Sequence, residues 1–268
     1  MKPFSHGICC DTIVTIDEIR IPDGIDYKFY EVMRISDKKI LYFDQHMDRL
    51  ETSVKSRFPE FILDREKIQN LIRELMAYIE LENVNVRIEG YLDENTMCHM
   101  IGYLVHGEYP DEHMYSKGVL VKTLALRRNN PNVKAIDKNY KELVDEFIRT
   151  EDVYEALLWH EGRITEGTRS NVFLISKGIV YASLPKDVLS GITKQKVVET
   201  LSCMAVPYIE KEILVSELEH YEAAFLTGTS IHILPIAQLD DKIFDVNNKL
   251  LRRIMSEFNT TVQSYLTE

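Results

Sequence analysis

The chain has 268 residues, enough for one large domain or two small ones with a packed core. Its formal net charge of −11 disfavours nucleic acid or an anionic membrane as a partner, while leaving room for a local pocket of donors around a small anion. Four cysteines (Cys9, Cys10, Cys98, Cys203) form no CxxC or zinc-like spacing, Met1–Asp11 lacks a signal-peptide core and no apolar run reaches the ~20 residues of a membrane span, so a cytoplasmic protein with reduced thiols and no metal centre is expected.

Phe29–Ile35 reads as a strand, Asp37-Lys38-Lys39 as a turn and Ile40–Phe43 as the returning strand. From Asp44 the period becomes helical, with Met47, Leu50 and Val54 on one face and Asp44 able to cap the start. A second helix is expected from Asp64 to about Ile79. Strands Asn85–Leu92 and Met97–Val105 follow, around an Asp93-Glu94-Asn95 turn. The polar stretch Gly107–Gly118, with Pro110, marks a domain boundary, giving a small lobe over 1–117 and a larger one over 118–268. The second half begins with strand Val119–Leu126 and a helix from about Lys138 to Arg149. Short strands come next at Tyr154–His160, Asn171–Ser176 and Ile179–Tyr181. Then follow helix Thr193–Ser202, strands Ala223–Leu226 and Ile233–Gln238, and a last helix over about Leu250–Tyr265. Short mixed strands with scattered helices predict an α+β or α/β protein in two lobes.

Several stretches have the residue types for chemistry. Ser190-Gly191-Ile192-Thr193 opens a helix, and its outward N–H groups with the Thr193 hydroxyl suit an anion; a plain helix cap would look the same. Thr227-Gly228-Thr229-Ser230 ends an apolar strand and is either a ligand-facing turn or a simple loop. Arg49 has the donor fork that phosphate requires, or is a surface arginine. Glu166 sits just before a Gly-Thr-Arg-Ser-Asn loop. If buried it requires a cation, either a protonated pyridine nitrogen or an internal arginine. Lys134, Lys138 and Lys141 all lie near the polar loop Arg127–Val133, and composition and periodicity do not choose among them for a Schiff base.

Taken in order, these pieces resemble the class IV aminotransferases, the fold-type-IV pyridoxal 5′-phosphate family. That family includes branched-chain and D-amino-acid aminotransferases and aminodeoxychorismate lyase. The resemblance covers about Tyr30 to Leu239. It rests on Tyr30-Glu31-Val32, His46-Met47-Asp48-Arg49-Leu50, Leu189–Thr193 and Phe225–Ser230. Its most specific block runs from Tyr154–Leu158 through Ile164-Thr165-Glu166-Gly167-Thr168-Arg169-Ser170-Asn171-Val172-Phe173. The resemblance implies that Lys134 holds the cofactor as an imine and that Glu166 pairs with the pyridine nitrogen. Arg49, Ile192, Thr193 and Thr229 bind the phosphate, Leu189 packs on the ring, and Tyr30 lines the substrate pocket. It also implies an α+β fold with a small α/β lobe, a larger β-barrel-like lobe with surrounding helices, the cofactor between them, and a homodimer.

For the substrate, the D-amino-acid enzymes' carboxylate-binding arginine is matched here by His106, a weaker and pH-dependent partner. Thr227-Gly228-Thr229-Ser230 is similar to the Gly-Thr-Ala turn whose N–H groups receive the carboxylate in branched-chain enzymes, with Gly228 and Ser230 beside the substrate. The Gly-Gly-Asn-Tyr that follows the lysine in those enzymes is replaced by Ala135-Ile136-Asp137-Lys138-Asn139-Tyr140. The expectation is transamination between an apolar amino acid, branched-chain ones favoured, and a 2-oxo acid such as 2-oxoglutarate. A lyase reaction on aminodeoxychorismate, with Arg169 on a second carboxylate, is the runner-up.

Overall fold

The computed structural model describes residues 3–9, 12–19, 28–79, 83–92 and 98–267. The chain forms two compact units: Met1–Glu108 with Val133–Ile136, and Tyr109–Asn132 with Asp137–Glu268. This division falls at 108/109, earlier than the expected 117/118, because the intervening helix packs on the second unit. Met114 and Tyr115 join that unit's core, and the Tyr115 hydroxyl donates to the Ile231 carbonyl at 3.1 Å. Val133–Ile136 belongs to the first unit through backbone pairing. Tyr30 N–H donates to the Lys134 carbonyl (3.1 Å) and Ile136 N–H to the Lys28 carbonyl (2.9 Å).

The first unit contains strands β1 (Pro3–Cys9), β2 (Thr12–Thr15), β3 (Lys28–Ser36) and β4 (Lys39–Ile40), helices α1 (Phe43–Lys55) and α2 (Arg65–Ile79), and strands β5 (Val84–Leu92) and β6 (Cys98–Val105). They make one sheet in the order β2-β1-β6-β5-β3-β4. The sheet has two unlike faces because side chains alternate along each strand. Phe29, Met33, Ile35, Val86, Ile88 and Leu104 form a core with Met47, Leu50 and Val54 of α1 and Ile72, Leu75 and Met76 of α2. Strands β1 and β2 were not foreseen. The returning strand is only two residues long, since Tyr42 turns left-handed (φ 55°) and Phe43 already begins α1. No side chain caps α1; Asp44 instead lies in its first turn, where a negative charge complements the helix dipole. The Asp93-Glu94-Asn95 turn lies outside the described residues.

The second unit begins with α3 (Glu112–Lys117), β7 (Val119–Ala125), α4 (Lys138–Glu151), β8 (Glu155–His160), β9 (Arg163–Gly167), β10 (Asn171–Ser176) and β11 (Ile179–Ala182). It continues with α5 (Ile192–Cys203), β12 (Tyr208–Glu210), β13 (Ile213–Leu214), β14 (Ala223–Gly228), β15 (His232–Leu239), β16 (Lys242–Ile243) and α6 (Lys249–Thr267). The sheet runs β12-β11-β10-β14-β15-β7-β8-β9-β13, with β16 on β15, and curls over a core that includes Val121, Leu157, Val172, Leu226 and Leu234. On the other face the stacked rings of Phe173 and Phe225 lie 5.0 Å apart. Helices α5 and α6 pack on each other and on β14, with Val197, Leu201, Leu251, Ile254, Phe258 and Val262 buried. Glu161-Gly162-Arg163 reads in the sequence as a hairpin turn, and strand β9 is its return. It pairs with β8 through the Glu161-Gly162 turn, where both residues have positive φ (52° and 76°), the geometry that matches hairpin twist.

Candidate active site

In the first unit, the sheet face away from the core is polar and aromatic. Register places Tyr30 opposite Glu89 on β5, and Arg87 opposite Tyr103 on β6. The Tyr30 ring is contacted by two cations: the Arg87 guanidinium carbon lies 4.5 Å from its centroid and Lys134 Nζ 4.8 Å. Each such contact contributes about 0.5–2 kcal/mol, more where water is excluded. Glu89 accepts from Arg87 Nε and from the Tyr103 hydroxyl at 2.6 Å. Burial, followed by that bond to Glu89, holds the Tyr103 hydroxyl well above the ordinary tyrosine range.

The three lysines that the sequence left open differ sharply in setting. Lys134 is half-buried in the segment annealed to β3, with its amine on Tyr30 and its backbone N–H donating to the buried Ser53 hydroxyl at 3.4 Å. Lys138 is an exposed first residue of α4, and Lys141 pairs with Asp145 one turn along the same helix. Arg49 is no surface arginine: its side chain is 9% exposed and binds Glu31 through both Nε (2.8 Å) and Nη2 (2.7 Å). His106 is exposed at the end of β6, its ring centroid 3.9 Å from that of Phe4.

In the second unit, Glu166 is buried at 2% exposure on β9 and accepts from Arg128 Nη1 and from the Leu189 N–H, both at 2.9 Å. The buried carboxylate thus has an internal arginine, as charge burial requires. Arg128 was legible only as one of two arginines in a loop. Leu189 is fixed twice, because its carbonyl also accepts from Asn171 Nδ2 at 2.9 Å.

Leu189 leads into α5, whose N-cap is Gly191, with no side-chain cap. A Cβ at Gly191 would collide with Asn171 Oδ1. Ile192 and Thr193 are buried in the first turn. Asn171 pairs in register with Thr227 of β14, so their side chains share a face. Thr227 is 1% exposed, and its hydroxyl has no hydrogen-bond partner among the described residues. Thr229 and Ser230 follow as the half-buried turn between β14 and β15. A Cβ on Gly228 would lie 3.8 Å from the Arg169 carbonyl.

Arg169 turns its guanidinium back on Tyr154, donating from Nη2 to that residue's carbonyl at 2.9 Å. Its own N–H, the Ser170 hydroxyl and the Thr168 hydroxyl donate to Glu155 Oε1 at 2.6, 3.0 and 3.4 Å. Glu155 thereby clamps the loop after Glu166. Sequence reading passed over it because a glutamate at a strand start looks like a surface residue.

An uncapped helix start with no Cβ at its N-cap and an orphaned buried hydroxyl fit a phosphate. A buried carboxylate, with about four acceptor sites, suits a ring N–H donor. A half-buried lysine amine on an aromatic ring suits an aldehyde. Each unit by itself thus carries groups of the kinds that pyridoxal phosphate needs: the Lys134 amine and the Arg49 guanidinium in the first, and the Glu166 carboxylate, Leu189, the α5 start at Ile192 and Thr193, and the turn at Thr229 in the second.

Comparison with known proteins agrees. The model of a family described as amino-transferase class IV matches residues 28–239. The D-alanine aminotransferase of Bacillus licheniformis is 23% identical over 276 residues, spanning 90% of both chains. The "Probable branched-chain-amino-acid aminotransferase" of Aquifex aeolicus is 28% identical over 224 residues, spanning 76% of this chain and 70% of the relative. The crystal structure of the Escherichia coli branched-chain amino acid aminotransferase has the same fold, with a TM-score of 0.83 at 18% identity, covering 95% of this chain and 93% of that one. With its fold, its donor set and a match across most of its length, this chain belongs to the class IV aminotransferases and is a pyridoxal-phosphate-dependent enzyme.

Proposed function

We propose that the enzyme transfers the amino group of an apolar amino acid, branched-chain ones foremost, to a 2-oxo acid such as 2-oxoglutarate, in the cytoplasm and as a homodimer. The turn between β14 and β15 carries the substrate reading. In it the N–H groups of Thr229 and Ser230 receive the α-carboxylate beside Gly228, while Arg169 keeps its guanidinium on Tyr154, away from a second carboxylate. His106, exposed against Phe4, gives little support to a carboxylate trap of the D-amino-acid kind.

Pyridoxal phosphate, when bound, supplies an electron sink for the pair left behind as the substrate Cα–H bond breaks. Lys134 Nζ would hold the aldehyde end and, as a free amine, would take the substrate Cα proton as a general base. Glu166 holds a proton at the pyridine nitrogen, with Arg128 compensating its buried charge. Leu189, fixed by Glu166 and Asn171, offers an apolar surface to the ring. Arg49, the Ile192 and Thr193 N–H groups, and the Thr193 and Thr229 hydroxyls anchor the phosphate. Tyr30 walls the substrate side. Anchoring both ends fixes which Cα bond is broken, a positional contribution worth several kcal/mol.

A D-amino-acid transaminase is the second reading, favoured by the length of the match to the Bacillus relative. One experiment separates them: convert the holoenzyme to its amine form with a panel of L- and D-amino acids, following the visible spectrum, and measure glutamate formed from 2-oxoglutarate. Conversion by L-leucine, L-isoleucine and L-valine supports the proposal, conversion by D-alanine alone replaces it with the second reading, and pyruvate release from aminodeoxychorismate without an acceptor makes the enzyme a lyase.

A further inference from the structure

Glu31 has no part in the chemistry above, yet its carboxylate is fully buried and paired. It projects from β3 into the helix-covered face, between Phe29 and Met33, and all three have no exposed surface. Its two oxygens take three donors from α1: Oε1 takes Arg49 Nε at 2.8 Å, and Oε2 takes Arg49 Nη2 at 2.7 Å and His46 Nδ1 at 2.9 Å. Burial by itself would raise the Glu31 pKa, but the Arg49 charge, the Arg49 hydrogen bonds and His46 together hold it well below the ordinary carboxylate range. Burial keeps the His46 pKa below its ordinary value, so the imidazole acts here as a neutral donor.

Stability alone is a poor reason for such a group. A buried ion pair is often no more stable than apolar side chains of the same volume, so its value lies in fixing an arrangement. What this pair fixes is the guanidinium plane. A planar fork bound along its Nε–Nη2 edge has its opposite, Nη1 end directed as well. We propose that Glu31 is a positioning residue for the cofactor phosphate: it sets the orientation of the Arg49 guanidinium, with His46 bracing the carboxylate from the same helix. This rests on the reading of Arg49 as a phosphate ligand. Because Glu31 cancels the Arg49 charge, phosphate recognition here depends on directed donors more than on net charge, and lysine is no substitute at position 49.

The test compares pyridoxal phosphate with pyridoxal, which lacks the phosphate, by titrating the full-length cofactor-free enzyme and following absorbance. Wild type should prefer pyridoxal phosphate. Glu31→Gln should reduce that preference about 10- to 100-fold, the scale of one or two charge-assisted hydrogen bonds, while leaving pyridoxal affinity unchanged. In an Arg49→Ala background, Glu31→Gln should remove nothing further. Arg49→Lys, which keeps the charge and tests the same geometry should Glu31→Gln fold poorly, should lose the preference too. A preference lost in Arg49→Ala but kept in Glu31→Gln or in Arg49→Lys overturns the proposal alone. An equal loss for both ligands in Glu31→Gln does so as well, since that would mark a merely structural role. A wild type that binds both ligands equally, or a preference surviving Arg49→Ala, overturns the Arg49 reading and this proposal together.

Discussion

Replacing Gly191 by alanine is the smallest change that should disturb the phosphate cradle. The backbone there (φ −69°, ψ 133°) suits any residue, so the substitution introduces no backbone strain. Removing a glycine even restricts the unfolded chain, favouring the fold by about 0.4–1 kcal/mol. The added methyl would sit at ordinary distance, 3.5 Å, from Lys194 Cβ but would collide with Asn171 Oδ1 and crowd Asn171 Cγ at 3.2 Å. Asn171 is 7% exposed and has little room to turn. Turning would break its 2.9 Å bond to the Leu189 carbonyl, leaving buried polar groups unpaired at about 1–3 kcal/mol, and overpacking adds about 1–3 more. The net expectation is a destabilisation of about 1–5 kcal/mol once the glycine effect is subtracted. Urea denaturation of the cofactor-free protein measures it, and cofactor titration should show weaker binding, because Leu189 and the first turn of α5 move together. In an Asn171→Ala background the same substitution should cost far less. A Gly191→Ala protein within about 0.5 kcal/mol of wild type, or one whose cost is undiminished in the Asn171→Ala background, would refute the collision argument.

Lys134→Ala should abolish the visible absorbance of lysine-bound cofactor and slow transamination by at least about 10²–10⁴-fold, the usual value of a positioned proton carrier; borohydride labelling of Lys138 or Lys141 in the wild type would move the assignment. Thr227→Val removes a buried hydroxyl that lacks a partner among the described residues, and should stabilise the cofactor-free protein by about 1 kcal/mol, checked by denaturation; a loss of that size would show that the hydroxyl is bonded. Glu155 gives a pH dependence. Burial raises its pKa above the ordinary 4.5, outweighing the Arg169 charge and the bonds from Arg169, Ser170 and Thr168. The folded protein then holds that proton more tightly than the unfolded chain, so this contribution is full below pH 4.5 and is lost as pH rises through the raised value. Glu155→Gln should therefore gain stability relative to wild type between pH 4 and pH 7, and urea denaturation at each pH showing the opposite trend would contradict the burial argument.

Periodicity and local chemistry were enough for much of the fold. The helical spacing of Met47, Leu50 and Val54 marked α1, and apolar runs marked β10, β14 and β15, because a strand or helix face that must be buried announces itself along the chain. The order of Arg49, Glu166, Leu189–Thr193 and Thr227–Ser230 also located the residues worth testing. Sequence could not supply partners distant along the chain. Glu166 with Arg128, Glu31 with Arg49 and His46, and Asn171 across from Gly191 and Thr227 are brought together only when strands register and helices pack. The setting of Lys134 was equally hidden, since residues 133–136 leave a polar loop to pair with β3, and no local propensity encodes a hydrogen bond to a strand a hundred residues away. Local order along a chain fixes which faces are apolar, whereas the pairing of buried charges depends on which faces meet, and that is decided only by the folded whole.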